Sequence, residues 1–192
     1  MAKIINAKKK FFGTDGIRGP ISSKTSPDFI LKLGWAAGEV FKDLGIKTFI
    51  IGKDTRISGY MLEAALQAGI ISSGLNVRLV GPLPTPAISY LVSTFKSQAG
   101  IVISASHNSY EDNGIKFFDD KGQKISDEIE LLIEQKISEE ITVVEPEHLG
   151  KAARLNDASG RYIEYCKNSL SQQISFAGLK IVLDTANGAA YD

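Results

Sequence analysis

Three segments of the sequence place hydroxyl, amide or cationic side chains at spacings that could support chemistry. One of them joins the apolar run 100–103 to Ser104, Ser106, His107 and Asn108. A hydroxyl just beyond the end of a buried strand is held rigidly and stays accessible, as a nucleophile must be to meet a substrate. Ser106 is therefore the candidate nucleophile of this sequence.

The residues of this loop leave two other interpretations open. One is a Ser-His-Asp hydrolase, although adjacent residues of an extended loop point in different directions and the sequence around Ser106 is not a Gly-x-Ser-x-Gly elbow. The other is a polar loop that only caps a strand, because serine and asparagine favour turns for local reasons. On the residues alone, the strand cap and the nucleophile are equally well supported.

Two further segments could bind an anion. Segment 12–19 has a glycine at every third position and contains Arg18, so it can form tight turns and offer a guanidinium to two phosphate oxygens. Segment 52–59 contains Lys53 and Arg56 between a predicted strand and a predicted helix, where backbone amides and two cations could face an anion. Without any ligand, segment 12–19 would be a surface turn, and Lys53 and Arg56 would solvate a helix entrance or pair with Asp54.

The spacing of apolar residues alternates between helical and strand periods. Helices are predicted to begin at 26–27, after residue 56, at 85–86 and at 126, and strands are predicted over 48–52, 77–80 and 100–104. The segment 104–124 is polar and turn-rich and is predicted to be a loop. This alternation favours a layered α/β fold, in which the loops after residues 52 and 103 share the ligand-binding face.

A change in the pattern predicts a domain boundary near residue 155. The spacing becomes irregular over 141–158, and a helix over 159–170 and a strand over 179–184 are predicted beyond it. One helix and one strand cannot bury a core by themselves. The expected organisation is therefore a first domain over 1–155 and the truncated beginning of a second over 156–192.

Composition excludes several classes of protein. The 192 residues carry 22 basic and 22 acidic side chains, so no long-range attraction to nucleic acid or an anionic membrane is expected. A single cysteine cannot form an intramolecular disulfide, and with two histidines it cannot complete a Cys/His zinc site. The sequence has neither a signal peptide nor a membrane-spanning apolar run, which favours a cytoplasmic protein.

Five segments, in this order, resemble the α-D-phosphohexomutase superfamily, and within it the bacterial members that act on glucosamine phosphate. They are FGTDGIRG (12–19), GKDTRISGYM (52–61), GPLPTP (81–86), SHN followed by DNGIK (106–108 and 112–116), and DTANG (184–188). The resemblance covers essentially the whole chain. It implies the layered α/β domain I of that superfamily, with a mixed sheet between helices, followed by the first elements of a second, similar domain.

The resemblance also implies a reaction. Ser106 would be a phosphoserine that donates its phosphoryl group to glucosamine 6-phosphate, forms a 1,6-bisphosphate and then takes back the other phosphoryl group, leaving glucosamine 1-phosphate for cell-envelope precursors. Lys116 matches the active-site lysine of the superfamily and is the candidate general acid/base. Arg18 matches the arginine near the transferring phosphate, and His107 and Asn108 are expected to orient the loop or contact the phosphate.

Further partners follow from the same resemblance. Mg²⁺ would bridge the phosphate on Ser106 and three aspartates of a later loop that lies outside this chain, and glucosamine or glucose 1,6-bisphosphate would load the serine. Members often form homodimers through the first domain, although no apolar stripe here requires one. Ser109 and Thr185 stand where the superfamily usually has proline and cysteine, and the former could loosen the serine loop.

Two alternatives stay open. The loop that selects the sugar in this superfamily is not part of the sequence, so a phosphomannomutase or phosphoglucomutase is the first alternative. The second is a non-catalytic module that binds phosphosugars and has kept the fold. With the metal loop and the C-terminal phosphate-binding domain missing as well, the 192-residue chain alone is expected to be inactive.

Overall fold

The computed structural model describes residues 9–22, 25–95, 98–170 and 174–192. The secondary-structure elements in these ranges are β1 (Ile17–Pro20), α1 (Pro27–Asp43), β2 (Thr48–Lys53), α2 (Ser58–Ser72), β3 (Asn76–Pro82), α3 (Thr85–Thr94), β4 (Gln98–Ile103), β5 (Asp112–Phe118), α4 (Asp127–Ile137), a 3-10 turn (Pro146–His148), β6 (Ala152–Arg154) and α5 (Ala158–Asn168). None of the described helices is long and apolar enough to span a membrane.

Local sequence signals set the helix starts. In α1, proline occupies the first turn, where its missing N–H removes no hydrogen bond. In α4, the Ser126 hydroxyl accepts a hydrogen bond from the backbone N–H of Ile129 at 3.5 Å. Asp127 and Glu128 follow in the first turn, where the helix dipole favours negative charge. The predicted starts of α1, α3 and α4 are therefore confirmed.

The six described strands form one mixed sheet in the order β1-β5-β4-β2-β3-β6. Strands β4, β2, β3 and β6 are mutually parallel, and β5 is antiparallel to both β4 and β1. Lys53 pairs with Ile103, so β2 and β4 end at the same level. The loops after these two strands leave one edge of the sheet side by side, as the sequence predicts.

Helices cover both faces of the sheet. Phe49 and Ile51 of β2 pack into a core with α1, α2 and α4, while Ile50 faces a second core formed with α3 and the first turn of α5. The alternation follows from the two-residue period of a strand and makes β2 apolar on both faces. The layered α/β fold with a mixed sheet between helices is therefore confirmed.

Helices α1 and α2 touch through their backbones. A Cβ atom added at Gly69 would lie 2.0 Å from the carbonyl oxygen of Leu31 and 2.6 Å from the backbone nitrogen of Trp35. One added at Gly34 would lie 2.5 Å from the carbonyl oxygen of Leu66. Glycine at these two positions therefore sets the spacing of the helices that support the sheet.

The prediction of a loop over 104–124 is wrong for residues 112–118, because β5 lies there. Asn113 and Gly114 are strong turn formers, yet both are buried in the strand. The Asn113 amide donates to the hydroxyl of Ser58 at 2.9 Å, and a Cβ at Gly114 would lie 2.8 Å from the carbonyl oxygen of Ser104. Tertiary contacts thus override the local turn preference. The sequence pattern also missed β1, which is only four residues long.

The strand predicted over 179–184 is also not formed. None of the described strands pairs with this segment, and the side chains of Ile181, Val182 and Leu183 are 72%, 98% and 80% exposed. An apolar run becomes a strand only where a neighbour accepts its backbone hydrogen bonds. The helix predicted just before it is confirmed as α5, which begins with the buried Ala158. The domain boundary near residue 155 stays a prediction.

Candidate active site

A cavity of about 430 Å³ opens at the carboxyl ends of β2, β3 and β4. This volume is in the range of small-ligand sites. Polar residues contribute much of the wall, and they come from the loops after the three strands and from the turn at 185–188: Asp54, Thr55, Arg56, Thr85, Ser104, Ser106, His107, Asn108 and Asn187. The fold therefore brings four of the predicted site residues, Ser106, His107, Asn108 and Arg56, to one cavity.

Ser106 is exposed on this cavity in an unusual backbone conformation. Its φ angle is +59°, in the left-handed region, which costs a residue with a Cβ about 1–2 kcal/mol. The conformation is fixed from both sides, because Ala105 is fully buried and the backbone N–H of Ser106 donates to the hydroxyl of Ser104 at 3.0 Å. The hydroxyl is thus presented by a short, anchored loop.

The strained positions of the chain are concentrated at the cavity. Ser106, Ala186 and Asn187 are the non-glycine residues with positive φ in the part of the chain that the structure describes, and all three line it. The loop after β2 contacts one of these strained turns, since the hydroxyl of Thr55 donates to the carbonyl oxygen of Asn187 at 2.5 Å. Strain that a fold retains in this way marks candidate functional sites.

His107 and Asn108 differ in their surroundings. Nδ1 of the exposed His107 lies 3.5 Å from the hydroxyl oxygen of Ser106. The amide of Asn108 donates to the carboxylate of Asp112 at 2.7 Å, which ties the serine loop to the first residue of β5. Asn108 therefore orients the loop in this structure, while His107 faces solvent.

Arg56 faces the backbone of the serine loop. Its Nη1 pairs with the carboxylate of Asp54, and its Nη2 donates to the carbonyl oxygens of Ser106 at 3.2 Å and Asn108 at 2.6 Å. The ion pair with Asp54 is one of the interpretations that the sequence leaves open, whereas the carbonyl contacts have no signal in the sequence. The Asp-x-Arg spacing is the signal for the ion pair, because Arg56 lies two residues beyond Asp54.

Lys53 is not at the cavity wall. Its side chain is buried, its amine pairs with the carboxylate of Glu63, and it lies 4.1 Å from the ring centre of Tyr60. The structure therefore places Lys53 beneath the loop, between β2 and α2. Its predicted contact with phosphate stays a prediction.

Lys116 lines a second, smaller cavity of about 160 Å³, together with Asp15, Lys124 and Glu130. Thr85 lines both cavities, so they adjoin at the start of α3. Lys116 on β5 and Arg18 on β1 reach the same carboxylate, since Asp15 lies 3.9 Å from the amine of Lys116 and 3.7 Å from the guanidinium of Arg18. Asp15 was missed by the sequence analysis although it lies within the segment that contains Arg18.

The buried carboxylate of Glu130 forms part of the wall of the second cavity. Glu130 is fully buried and pairs with Lys9 and, at 2.9 Å, with Lys124. The exposed carboxylate of Asp127 also accepts from Lys9, at 2.7 Å. Hydrogen bonds to Asp127 and Glu130 raise the pKa of Lys9, and the bond from Lys9 lowers the pKa of Asp127.

The described residues supply only part of the oxygen ligands that a metal ion would need. Among residues 9–22, 25–95, 98–170 and 174–192, no group of three or more histidine, cysteine, aspartate or glutamate side chains is placed to hold a cation. A hydroxyl such as that of Ser106 is one oxygen donor, whereas Mg²⁺ takes six oxygens, some of them from water. These residues alone therefore do not form a magnesium site.

Comparison with known proteins agrees with this fold. The family model "Phosphoglucomutase/phosphomannomutase, alpha/beta/alpha domain I" matches residues 9–143. Phosphoglucosamine mutase of Aliivibrio fischeri is 58% identical over 96% of this chain and 42% of its own length, and that of Pseudomonas fluorescens Pf-5 is 60% identical over 95% and 41%. The chain thus spans about two fifths of these relatives.

A solved structure shows the same fold. A phosphoglucomutase/phosphomannomutase family protein from Burkholderia thailandensis superposes with a TM-score of 0.71 at 22% sequence identity, and the match covers 87% of this chain and 37% of that one. The residues that the family model matches, 9–143, include Ser106, Lys116 and strands β1 to β5, whereas the turn at 185–188 lies outside them. The chain therefore belongs to the phosphoglucomutase/phosphomannomutase family and carries its alpha/beta/alpha domain I.

Proposed function

We propose that this chain is the phosphoserine-bearing part of a cytoplasmic phosphoglucosamine mutase, which interconverts glucosamine 6-phosphate and glucosamine 1-phosphate. The observation that carries the proposal is Ser106, an exposed hydroxyl held in a strained, anchored loop at the mouth of a cavity. Relatives named phosphoglucosamine mutase, which are 58–60% identical to this chain, support the choice of amino sugar.

The proposed reaction consists of two phosphoryl transfers. In the first, the bond between phosphorus and Oγ of phosphorylated Ser106 breaks as the free hydroxyl of the sugar phosphate forms a bond to phosphorus. The hydroxyl proton passes to a base and Oγ leaves with the electron pair of the broken bond. The bisphosphate then turns over in the cavity, and Oγ forms a bond to the other phosphorus as the bond between that phosphorus and its sugar oxygen breaks. The sugar oxygen leaves with the electron pair and takes the proton back from the base, so that Ser106 ends phosphorylated again.

Lys116 and Arg18 are the proposed groups for proton transfer and charge stabilisation. Phosphoryl transfer depends mainly on alignment and on neutralising charge, because little covalent chemistry is left to the protein. Lys116 borders the cavity next to that of Ser106 and would exchange the proton of the sugar hydroxyl. Arg18, on the neighbouring strand, would bind the oxygens of the transferring group.

The wall of the larger cavity supplies little free positive charge. A phosphoserine carries about −1.5 to −2 charges, while the charge of Arg56 is already balanced by Asp54. Bound Mg²⁺ would neutralise this phosphate, with Ser106 as the contribution of this chain. The remaining ligands and the sugar-recognition residues would come from the rest of a longer protein, beyond the proposed first domain over 1–155. A homodimer through that domain is part of the same proposal.

Phosphopeptide mapping of Ser106 tests the assignment. The chain and a longer protein that contains it would be incubated with glucosamine 1,6-bisphosphate and Mg²⁺, with Ser93→Ala, at an exposed position on α3, as the matched control and Ser106→Ala as the negative control. We expect phosphate on Ser106 in the longer protein and in its Ser93→Ala variant. A longer protein that binds the bisphosphate but stays unmodified would instead be a phosphosugar-binding module.

Competition between substrates tests the sugar. Turnover of glucosamine 1-phosphate by the longer protein would be measured in the presence of glucose 1-phosphate and mannose 1-phosphate. We expect kcat/KM to be highest for the amino sugar. A higher value for either neutral sugar would assign the protein to the phosphoglucomutase or phosphomannomutase activity.

A further inference from the structure

We propose that Arg56 is a positioning residue that holds Ser106 in its left-handed conformation, and not a ligand of the substrate phosphate. The inference concerns the loop geometry, and its consequence for turnover rests on the proposed function. On this proposal, the loop after β2 fixes the conformation of the loop after β4.

The hydrogen bonds of Arg56 carry the inference. Nη2 donates to the carbonyl oxygens of both Ser106 and Asn108, so it spans the residues on either side of His107. Nη1 pairs with Asp54, and the side chain of Arg56 is only 10% exposed. Nη2 thus uses both of its N–H donors on carbonyls, Nη1 donates to a carboxylate, and Nε is buried without a partner among the described residues, so an incoming phosphate meets few accessible donors of this guanidinium.

Arg56 and Asp54 together form what we call the clamp, and this clamp is anchored to the sheet. The backbone N–H of Asp54 donates to the carbonyl oxygen of Ile103 at 3.0 Å, at the last residue of β4. One carboxylate oxygen of Asp54 accepts from the backbone N–H of Arg56 at 3.0 Å, while the other pairs with its guanidinium. The short segment from Asp54 to Arg56 is therefore rigid and starts level with the strand that leads into Ser106.

The position of the clamp explains how the strain at Ser106 is maintained. A left-handed residue with a Cβ reverts to a more favourable conformation unless its neighbours fix the backbone. Reversion would turn the carbonyl of Ser106, and that carbonyl accepts from Arg56. Lysine cannot replace this function, because its three N–H donors diverge from one nitrogen, whereas Arg56 contacts the carboxylate and the two carbonyls through two separate nitrogens of a planar group.

Amide hydrogen exchange of the loop provides the first test. The amides of Ser106 and Asn108 are bonded to Ser104 Oγ at 3.0 Å and to the carbonyl of Ala105 at 3.2 Å, so their exchange reports loop opening. In Arg56→Lys and in Asp54→Asn we expect exchange at these amides to rise at least tenfold. Arg78→Lys, at an exposed position on β3, is the matched control and should leave them unchanged. Unchanged exchange in Arg56→Lys would overturn the proposal.

Kinetics of the longer protein provide the second test. A positioning residue acts on the reacting geometry, so we expect kcat of Arg56→Lys to fall about tenfold or more while KM for the phosphosugar stays within about twofold. A rise in KM with an unchanged kcat would make Arg56 a phosphate ligand and contradict the proposal. If the unaltered protein shows no turnover, the proposed function fails while the exchange result still decides the clamp.

Discussion

The hydroxyl oxygen of Ser106 lies 3.5 Å from Nδ1 of His107, at the outer limit of a hydrogen bond. His107 is also exposed to solvent, so nothing in the described surroundings fixes its ring against the serine. The pair therefore lacks the short, oriented contact by which a histidine activates a serine in a hydrolase. This geometry therefore argues against the Ser-His-Asp hydrolase interpretation and is compatible with the proposed phosphoserine.

Substitution of His107 should therefore reduce turnover less than substitution of Lys116. In a longer protein that contains this chain, we expect His107→Gln to lower kcat less than about tenfold, and Lys116→Met to lower it about 100-fold or more, the usual share of a general acid/base. Steady-state kinetics with glucosamine 1-phosphate measure both. Equal losses would contradict the division of roles between the two residues.

The strain at Ser106 predicts a gain in stability when its Cβ is removed. Ser106→Gly should raise the free energy of unfolding by about 0.5–1 kcal/mol, because relief of the left-handed backbone exceeds the added entropy of the unfolded chain. Ser106→Ala keeps the Cβ and should give no gain. Urea denaturation of the chain separates the two variants, both of which lose the hydroxyl. A less stable Ser106→Gly would mean that the conformation is not strained.

The close contact of α1 with α2 predicts that Gly69→Ala is severely destabilising. The new Cβ would lie 2.0 Å from the Leu31 carbonyl oxygen, and both neighbouring groups are backbone, so the helices must separate. We expect a loss of about 1–3 kcal/mol or more. Gly160→Ala is the matched control, because no atom lies within 4 Å of its added Cβ and alanine favours the helix. A small loss at Gly69 would show that the helices are free to shift.

The ion pair between Lys9 and Asp127 predicts a contribution to stability that depends on pH. Lys9 lowers the pKa of Asp127 in the folded chain, so the contribution is present above the unfolded pKa of about 4 and disappears as the pH falls through the lower, folded value. Asp127→Asn should therefore flatten the acid side of the stability profile. Urea denaturation between about pH 6 and pH 2.5 measures this slope.

Substitution of Lys9 provides the control for the experiment on Asp127. In Lys9→Met the pKa of Asp127 should return most of the way toward its ordinary value, so the further change to Asp127→Asn should affect the slope much less than it does in the unaltered chain. The charge of Lys124 and the dipole of α4 account for the remaining effect. An equally large effect of Asp127→Asn in both backgrounds would show that Lys9 is not the main cause of the lowered pKa.

Elements with strong local signals were predictable from the sequence. Proline in the first turn and Ser126 at the start of α4 mark helix starts, and the buried run 48–52 marks a central strand. These features act within a few residues of the chain, so periodicity and capping rules detect them. The common face of the serine loop and the 52–59 segment followed from the parallel arrangement of β2 and β4.

Features that depend on distant partners were not predictable. β5 contains Asn113 and Gly114 because a close contact with Ser104 and a hydrogen bond to Ser58 require them, and neither partner is near in sequence. The run 179–184 has the composition of a strand but no pairing partner among the described residues. The same limit applies to the site, where Asp15 and the carbonyl contacts of Arg56 depend on how loops meet.

The pairing of β1 with β5 has a consequence for the order of folding. Ile17 pairs with Ile115, so Arg18 comes near the strand that carries Lys116 only after the chain between them has closed a very long loop. Strands β2 and β3 and helix α2, by contrast, meet through short connections. Contacts of long sequence separation form late, because the loop entropy is lost before the contact can compensate for it. The strand that carries Arg18 is therefore expected to assemble after the central sheet, and during refolding the amides of β1 should become protected from hydrogen exchange later than those of β2.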